Sequence, residues 1–134
     1  MAGVYLHIPY CIKKCAYCDF VSFAEPEAVG AYVDWLLREI ALAAERLPVP
    51  EVVESVFLGG GTPSLLAGAQ MAAVLDALRA RYPVAADAEI TVECNPGTVD
   101  EARLAAYRAA GVNRLSVGLQ SADDALLAAV GRIH

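Results

Sequence analysis

The strongest constraint on folding is an alternation that repeats four times with no hairpin signal between repeats: a short β-rich run, then a longer stretch with helical spacing. Residues 4–8 predict a strand, and residues 28–47 a helix that gathers Val29, Tyr32, Val33, Leu36, Leu37 and Ile40 on one face. A second strand over 52–58 precedes a helix over 68–81, with Met71, Val74, Leu75 and Leu78 together. A third strand over 89–93 precedes a helix whose first turn holds Asp100 and Glu101 and which Gly111 ends. The fourth strand, 114–120, leads to a helix that Asp123 and Asp124 open and that runs toward Gly131. Strands separated by helical crossovers lie parallel and connect right-handedly. The expected class is α/β, with parallel strands and outer helices. Four units make only part of a barrel, so residues 1–134 are expected to be one part of a larger domain, with a strand edge left open.

Side-chain alternation along the strands points to where chemistry sits. Tyr5 and His7 share a face opposite Val4, Leu6 and Ile8. Thr91 and Glu93 oppose Ile90 and Val92, while Ser116, Gly118 and Gln120 oppose Leu115, Val117 and Leu119. Each strand thus carries polar or small residues near its C-terminal end, the end at which parallel α/β folds bind ligands. The plainer reading is that such residues merely finish strands as they enter loops; agreement across three strands weighs against it. By the same alternation Cys94 points away from Glu93 toward the helices, as a small buried hydrophobe would.

Composition excludes several classes. A net charge of −6, with ten Lys and Arg scattered along the chain, offers no stripe to neutralise phosphates, so no nucleic-acid partner is expected. Residues 55–75 carry no charge over the length of a membrane span, yet Gly59-Gly60-Gly61-Thr62-Pro63-Ser64 interrupts them, and no span is expected. The first residues reach Val4-Tyr5-Leu6-His7 without the basic and apolar regions of a secretory signal. A reducing, cytoplasmic setting is the expectation, where cysteines favour metal or redox chemistry over disulfides.

Those cysteines cluster. Directly after the first strand the chain reads Cys11-Ile12-Lys13-Lys14-Cys15-Ala16-Tyr17-Cys18. Three thiolates within eight residues suit one polynuclear iron–sulfur centre, and three ligands would leave one iron of a cubane cluster open. Lys13 and Lys14 would offset the negative charge of such a centre. The competitors are structural zinc, a disulfide and inert core cysteines. Zinc usually takes four ligands in paired spacings, and only His7 stands near as a fourth. The odd local count disfavours a disulfide, and inert cysteines seldom crowd a loop bearing two lysines.

Taken in order, Tyr5-Leu6-His7-Ile8-Pro9-Tyr10-Cys11, Cys-x3-Cys-x2-Cys with Tyr17 before the third cysteine, Gly59 to Ser64, Glu93-Cys94-Asn95-Pro96-Gly97 and Ser116-Val117-Gly118-Leu119-Gln120-Ser121 resemble one family. It is the radical S-adenosylmethionine (SAM) superfamily, and within it the group of the heme chaperone and oxygen-independent coproporphyrinogen III oxidase. The resemblance runs along the whole chain and matches roughly the first third of a typical member. It implies a partial (β/α)6 barrel with a 4Fe–4S cluster held by Cys11, Cys15 and Cys18. It implies that SAM binds the open iron through its amino and carboxylate groups, and that one electron cleaves it to a 5′-deoxyadenosyl radical. By the same resemblance Tyr5 approaches the methionine end of SAM, and Tyr17 lies beside the adenine. Gly60, Gly61 and Thr62 form a turn at the amino group, and Glu93, Gln120 and Arg132 occupy the remaining SAM positions in this stretch.

The resemblance implies heme or a porphyrinogen as ligand, an electron-donor protein and a heme-acceptor protein as partners. Two functions follow from it: a chaperone that binds heme and delivers it, or an oxidase that decarboxylates coproporphyrinogen III with SAM. The oxidase branch carries a further cysteine two residues after the third; here Phe20 stands there, and Cys18-Asp19-Phe20 has the look of the chaperone branch. Cys94 and Ala122 also depart from the pattern, which often has alanine and phenylalanine there.

Overall fold

Hydrophobic alternation and helical periodicity combine as the repeat requires. The computed structural model describes residues 2–133. Strands β1 (Ala2–Ile8), β2 (Val53–Gly60), β3 (Val84–Cys94) and β4 (Arg114–Val117) alternate with helices α1 (Val29–Arg46), α2 (Gly68–Arg79), α3 (Glu101–Ala110) and α4 (Asp124–Ala129). The sheet runs in the order β1-β2-β3-β4, and every pair is parallel. Register sets Tyr5 beside Phe57, Phe57 beside Thr91, and Glu93 beside Ser116.

One face of the sheet is covered. Leu6, Ile8, Val56, Leu58, Ile90 and Val92 share a core with residues of all three long helices. Helix α1 contributes Val29, Val33, Leu36 and Ile40, and α2 contributes Met71, Val74, Leu75 and Leu78. Fully buried Leu58 and Val92 each stabilise the fold by about 1.5–3 kcal/mol relative to exposure. Helix α3 begins where Asp100 accepts from Arg103 N at 2.7 Å and ends at Gly111, whose φ of 105° lies in the left-handed region. Its Tyr107, 1% exposed, donates to the Leu66 carbonyl and so locks α3 to the segment before α2. Burial raises the Tyr107 phenol pKa, which keeps the donor protonated.

β1 starts two residues earlier than expected, at Ala2, and β2 ends two later, at Gly60; the larger differences fall in β3 and β4. β3 begins at Val84 rather than Glu89, because Val84 pairs with Val53 ahead of a register shift in β2. β4 stops at Val117 rather than Gln120. Gly118 N still bonds Cys94 O at 3.0 Å, but Gln120 adopts a φ of 62°, so strand alternation does not orient it. Leu115 and Val117 are 41% and 56% exposed, leaving β4 held mainly by its ladder to β3. The uncharged interval 55–75 divides between β2, a short 3-10 turn (Pro63–Leu65) and α2. No helix among the described residues is long and apolar enough to cross a membrane.

Tyr107→Phe should lower unfolding free energy by about 1–3 kcal/mol, since it strands a buried carbonyl without its partner. Urea denaturation of the two chains measures it, with Trp35→Phe on the exposed side of α1 as the neutral comparison.

Candidate functional site

Because all four strands are parallel, the loops leaving their C-terminal ends converge on one rim. They enclose a cleft of about 390 Å³. Cys11, Cys15 and Cys18 line it from the loop after β1, and Gly60, Gly61 and Thr62 from the end of β2. Glu93 and Asn95 enter from β3, Gln120 from the loop after β4, and Arg132 from beyond α4, with Tyr17 beside the third cysteine. Ten of the residues singled out from the sequence therefore meet at one place. Tyr5 is the exception: it lies on the open face of the sheet, stacked on Phe57 with ring centroids 6.1 Å apart, and does not line the cleft.

The cysteine loop is shaped by hydrogen bonds at its neck. Phe23 N donates to Pro9 O at 2.7 Å, and Cys11 N donates to Phe23 O at 2.9 Å. His7 holds the same loop: its Nε2 lies 2.9 Å from Val21 O, which can only accept, so the proton sits on Nε2 and Nδ1 is left to accept from Tyr5 Oη at 3.0 Å. His7 is thus an orienting group for the cysteine loop. Lys14 lines the cleft, but its Nζ turns back to Phe20 O at 3.1 Å and Ser22 O at 3.4 Å. It closes the loop rather than simply supplying charge.

The glycines answer a packing demand. Gly60 has a φ of 118°, and a Cβ there would lie 2.8 Å from the His7 ring. At Gly61 a Cβ would meet Tyr10 O at 2.7 Å and Cys11 Sγ at 3.0 Å. The absence of Cβ atoms lets the end of β2 press directly against the cysteine loop. Gly60 N also donates to Glu93 Oε2 at 3.2 Å, which fixes the carboxylate at the rim. Burial, and then the Glu93 charge, raise the Tyr5 pKa.

Arg132 is 9% exposed, far from the solvated helix-end charge that its position in the sequence permits. It donates to Gly118 O at 2.7 Å, Tyr17 Oη at 3.1 Å and Asn95 Oδ1 at 3.2 Å. Asn95 in turn donates to Thr62 Oγ1 at 3.0 Å, and Thr62 donates to Cys11 Sγ at 3.4 Å. Asn95 lies within the motif Glu93-Cys94-Asn95-Pro96-Gly97, to which the sequence alone attaches no role for the amide. Its signal was its place at the C-terminal end of β3, before the Pro96-Gly97 turn.

All four cysteines are free thiols. Cys94 is 3% exposed in the helix-facing core, and burial raises its thiol pKa, as its strand parity required. Among the described residues no group of three His, Cys, Asp or Glu side chains is gathered to hold a single metal ion. A polynuclear iron–sulfur centre asks something else, thiolates around a volume, because each sulfur binds a different iron. Three thiols on one cleft wall, a hydroxyl donor to the innermost sulfur and a cleft large enough for more than the cluster fit that demand.

A model of the radical SAM superfamily matches residues 5–134, and the chain belongs to that superfamily. It is 50% identical over 138 aligned residues to the heme chaperone HemW of Escherichia coli (strain K12), covering 98% of this chain and 35% of that protein. It is 49% identical to the mitochondrial radical S-adenosyl methionine domain-containing protein 1 of Mus musculus, covering 99% of this chain and 30% of that one. Among solved structures, coproporphyrinogen III oxidase (HemN) from Escherichia coli, a radical SAM enzyme, superposes with a TM-score of 0.88 at 34% identity, over 98% of this chain and 31% of its own. The fold is thus the corresponding portion of a radical SAM barrel. The chain spans about a third of the length of these relatives.

Gly60→Ala should cost about 1–3 kcal/mol in stability, from the left-handed backbone and the crowding of His7. The midpoint of chemical denaturation reads this, and Gly30→Ala, with open space around it, should stabilise or leave the midpoint unchanged.

Proposed function

We propose that Cys11, Cys15 and Cys18 bind a 4Fe–4S cluster, that SAM binds beside it in the same cleft, and that the protein serves as a heme chaperone. The observation that carries this is the shared cleft: three thiols on one wall, with Glu93, Gln120 and Arg132 on the others. A 4Fe–4S cluster held there would supply a single electron to SAM bound in the same cleft.

The chain's own groups have definite tasks in this reading. Gly60 N–H holds the Glu93 carboxylate, a suitable partner for a sulfonium cation or ribose hydroxyls. Arg132 supplies a positive charge suited to a carboxylate, and its bond to Tyr17 Oη fixes the ring next to Cys18. The neck at Pro9 and Phe23 keeps Cys11 at the base of the cleft. An electron-donor protein and a heme-acceptor protein complete the scheme as partners.

The second reading, a SAM-dependent coproporphyrinogen oxidase, draws on the likeness to the oxidase fold. Phe20 favours the chaperone. It is 69% exposed at the cleft lining and puts an apolar ring where the oxidase branch has a further thiol.

Anaerobic reconstitution with iron and sulfide tests the cluster. The chain should gain the visible absorbance of a 4Fe–4S centre, and Cys15→Ser should lose it while keeping its circular dichroism. Full absorbance in that variant, or zinc bound in place of iron, would refute the assignment. Stable heme binding without decarboxylation of coproporphyrinogen III in the presence of SAM and reductant is the outcome expected of the chaperone; decarboxylation by the protein would favour the oxidase.

A further inference from the structure

We propose that Asn95 is a positioning residue for the Cys11 sulfur: it sets Thr62 as a hydrogen-bond donor to that sulfur and thereby raises the reduction potential of the cluster held there. The inference rests on the cluster assignment above and extends it to residues outside the ligand set. Arg132 can only donate, so the Asn95 group facing it at 3.2 Å must be the carbonyl oxygen Oδ1. That contact fixes the amide orientation and turns Nδ2 toward Thr62 Oγ1, 3.0 Å away. With a lone pair of Oγ1 taken by Nδ2, the Thr62 proton is directed to Cys11 Sγ at 3.4 Å.

The chain of bonds therefore has one polarity, from guanidinium to amide to hydroxyl to sulfur. Thr62 is 3% exposed and Arg132 9%, so little water competes, and successive bonds polarise one another more strongly than in solvent. Hydrogen bonds to ligand sulfurs tune iron–sulfur potentials. A donor favours the reduced cluster, which places more negative charge on its sulfurs. Losing the donor should lower the potential. The chain also joins Arg132 and Tyr17 to the cluster sulfur, so a ligand drawing on Arg132 would be felt at Cys11.

A purely structural role predicts lost stability with unchanged potential, and the test separates the two. Redox titration of the anaerobically reconstituted chain is followed by electron paramagnetic resonance in wild type, T62S, T62V, N95D and the N95D/T62V double variant. T62S should match wild type. T62V should shift the one-electron equilibrium about tenfold toward the oxidised cluster, a fall of about 59 mV. N95D keeps the acceptor for Arg132 but cannot donate, so the Thr62 hydroxyl should turn to the new carboxylate and leave the sulfur. Its shift should then be larger in the wild-type background than in T62V, by the size of the T62V shift itself, because only the added charge remains to act once the hydroxyl is gone. Equal N95D shifts in both backgrounds, or a T62V potential equal to wild type, overturn the inference while leaving the cluster in place. A wild-type chain that takes up no iron and sulfide overturns the cluster assignment and this inference with it.

Discussion

Parallel pairing of β1, β2 and β3 is the constraint on which the rest depends. A parallel ladder brings every C-terminal strand end to the same side, and a sheet buried on one face by α1, α2 and α3 cannot slip by one residue without exposing Leu58 and Val92. With that register set, Ile8, Gly60 and Cys94 end at a common rim. Segments distant in the chain then have no choice but to meet there. The cysteine loop, the glycine turn and the end of β3 are neighbours because of backbone geometry, before any side chain contributes.

Side chains then consolidate the rim. Ser64, fully buried, bonds Thr98 through their hydroxyls, and Thr98 also donates to the Asn95 carbonyl. Arg103 reaches back from α3 to Ser64 O at 2.8 Å and Thr98 O at 3.2 Å. This web satisfies buried polar groups between the short 3-10 turn after β2 and the loop after β3. It also holds Asn95 still, and a fixed amide is what gives Thr62 a defined partner. Rigidity around the cleft thus comes from loop-to-loop bonds on the helix side, leaving the cysteine side to be shaped by its neck and by Lys14.

The open flank of the sheet behaves differently. Leu115, Val117 and Leu119 are exposed, and no core gathers beneath β4 comparable to that beneath β2. The relatives are about three times as long, and Leu115 and Val117 share a face with Val92 and Cys94, the face that outer helices cover on the other strands. The interior face of the sheet is likewise only partly filled, with Tyr5 57% exposed beside His7 and Phe57. Its absence from the cleft lining follows from this position on the wall of the strand, several residues before the rim.

By itself the sequence determined the alternation of strands and helices, the parallel sense of the sheet, the helix ends at Asp100 and Gly111, the inward turn of Cys94 and the gathering of the three thiols. All of these depend on local periodicity, capping chemistry or spacing, which a linear chain displays directly. Only the tertiary structure decided that Gln120 reaches the cleft through a left-handed turn rather than along β4, that Lys14 closes its own loop, and that Arg132 is buried. It alone joined Arg132 to Asn95, Thr62 and Cys11. These depend on contacts between residues as far apart as Tyr17 and Arg132, and such distances collapse only when the strands have paired. Hydrogen bonds between loops leave no period in the sequence, because each is fixed by direction and proximity in space rather than by the type of its neighbours along the chain.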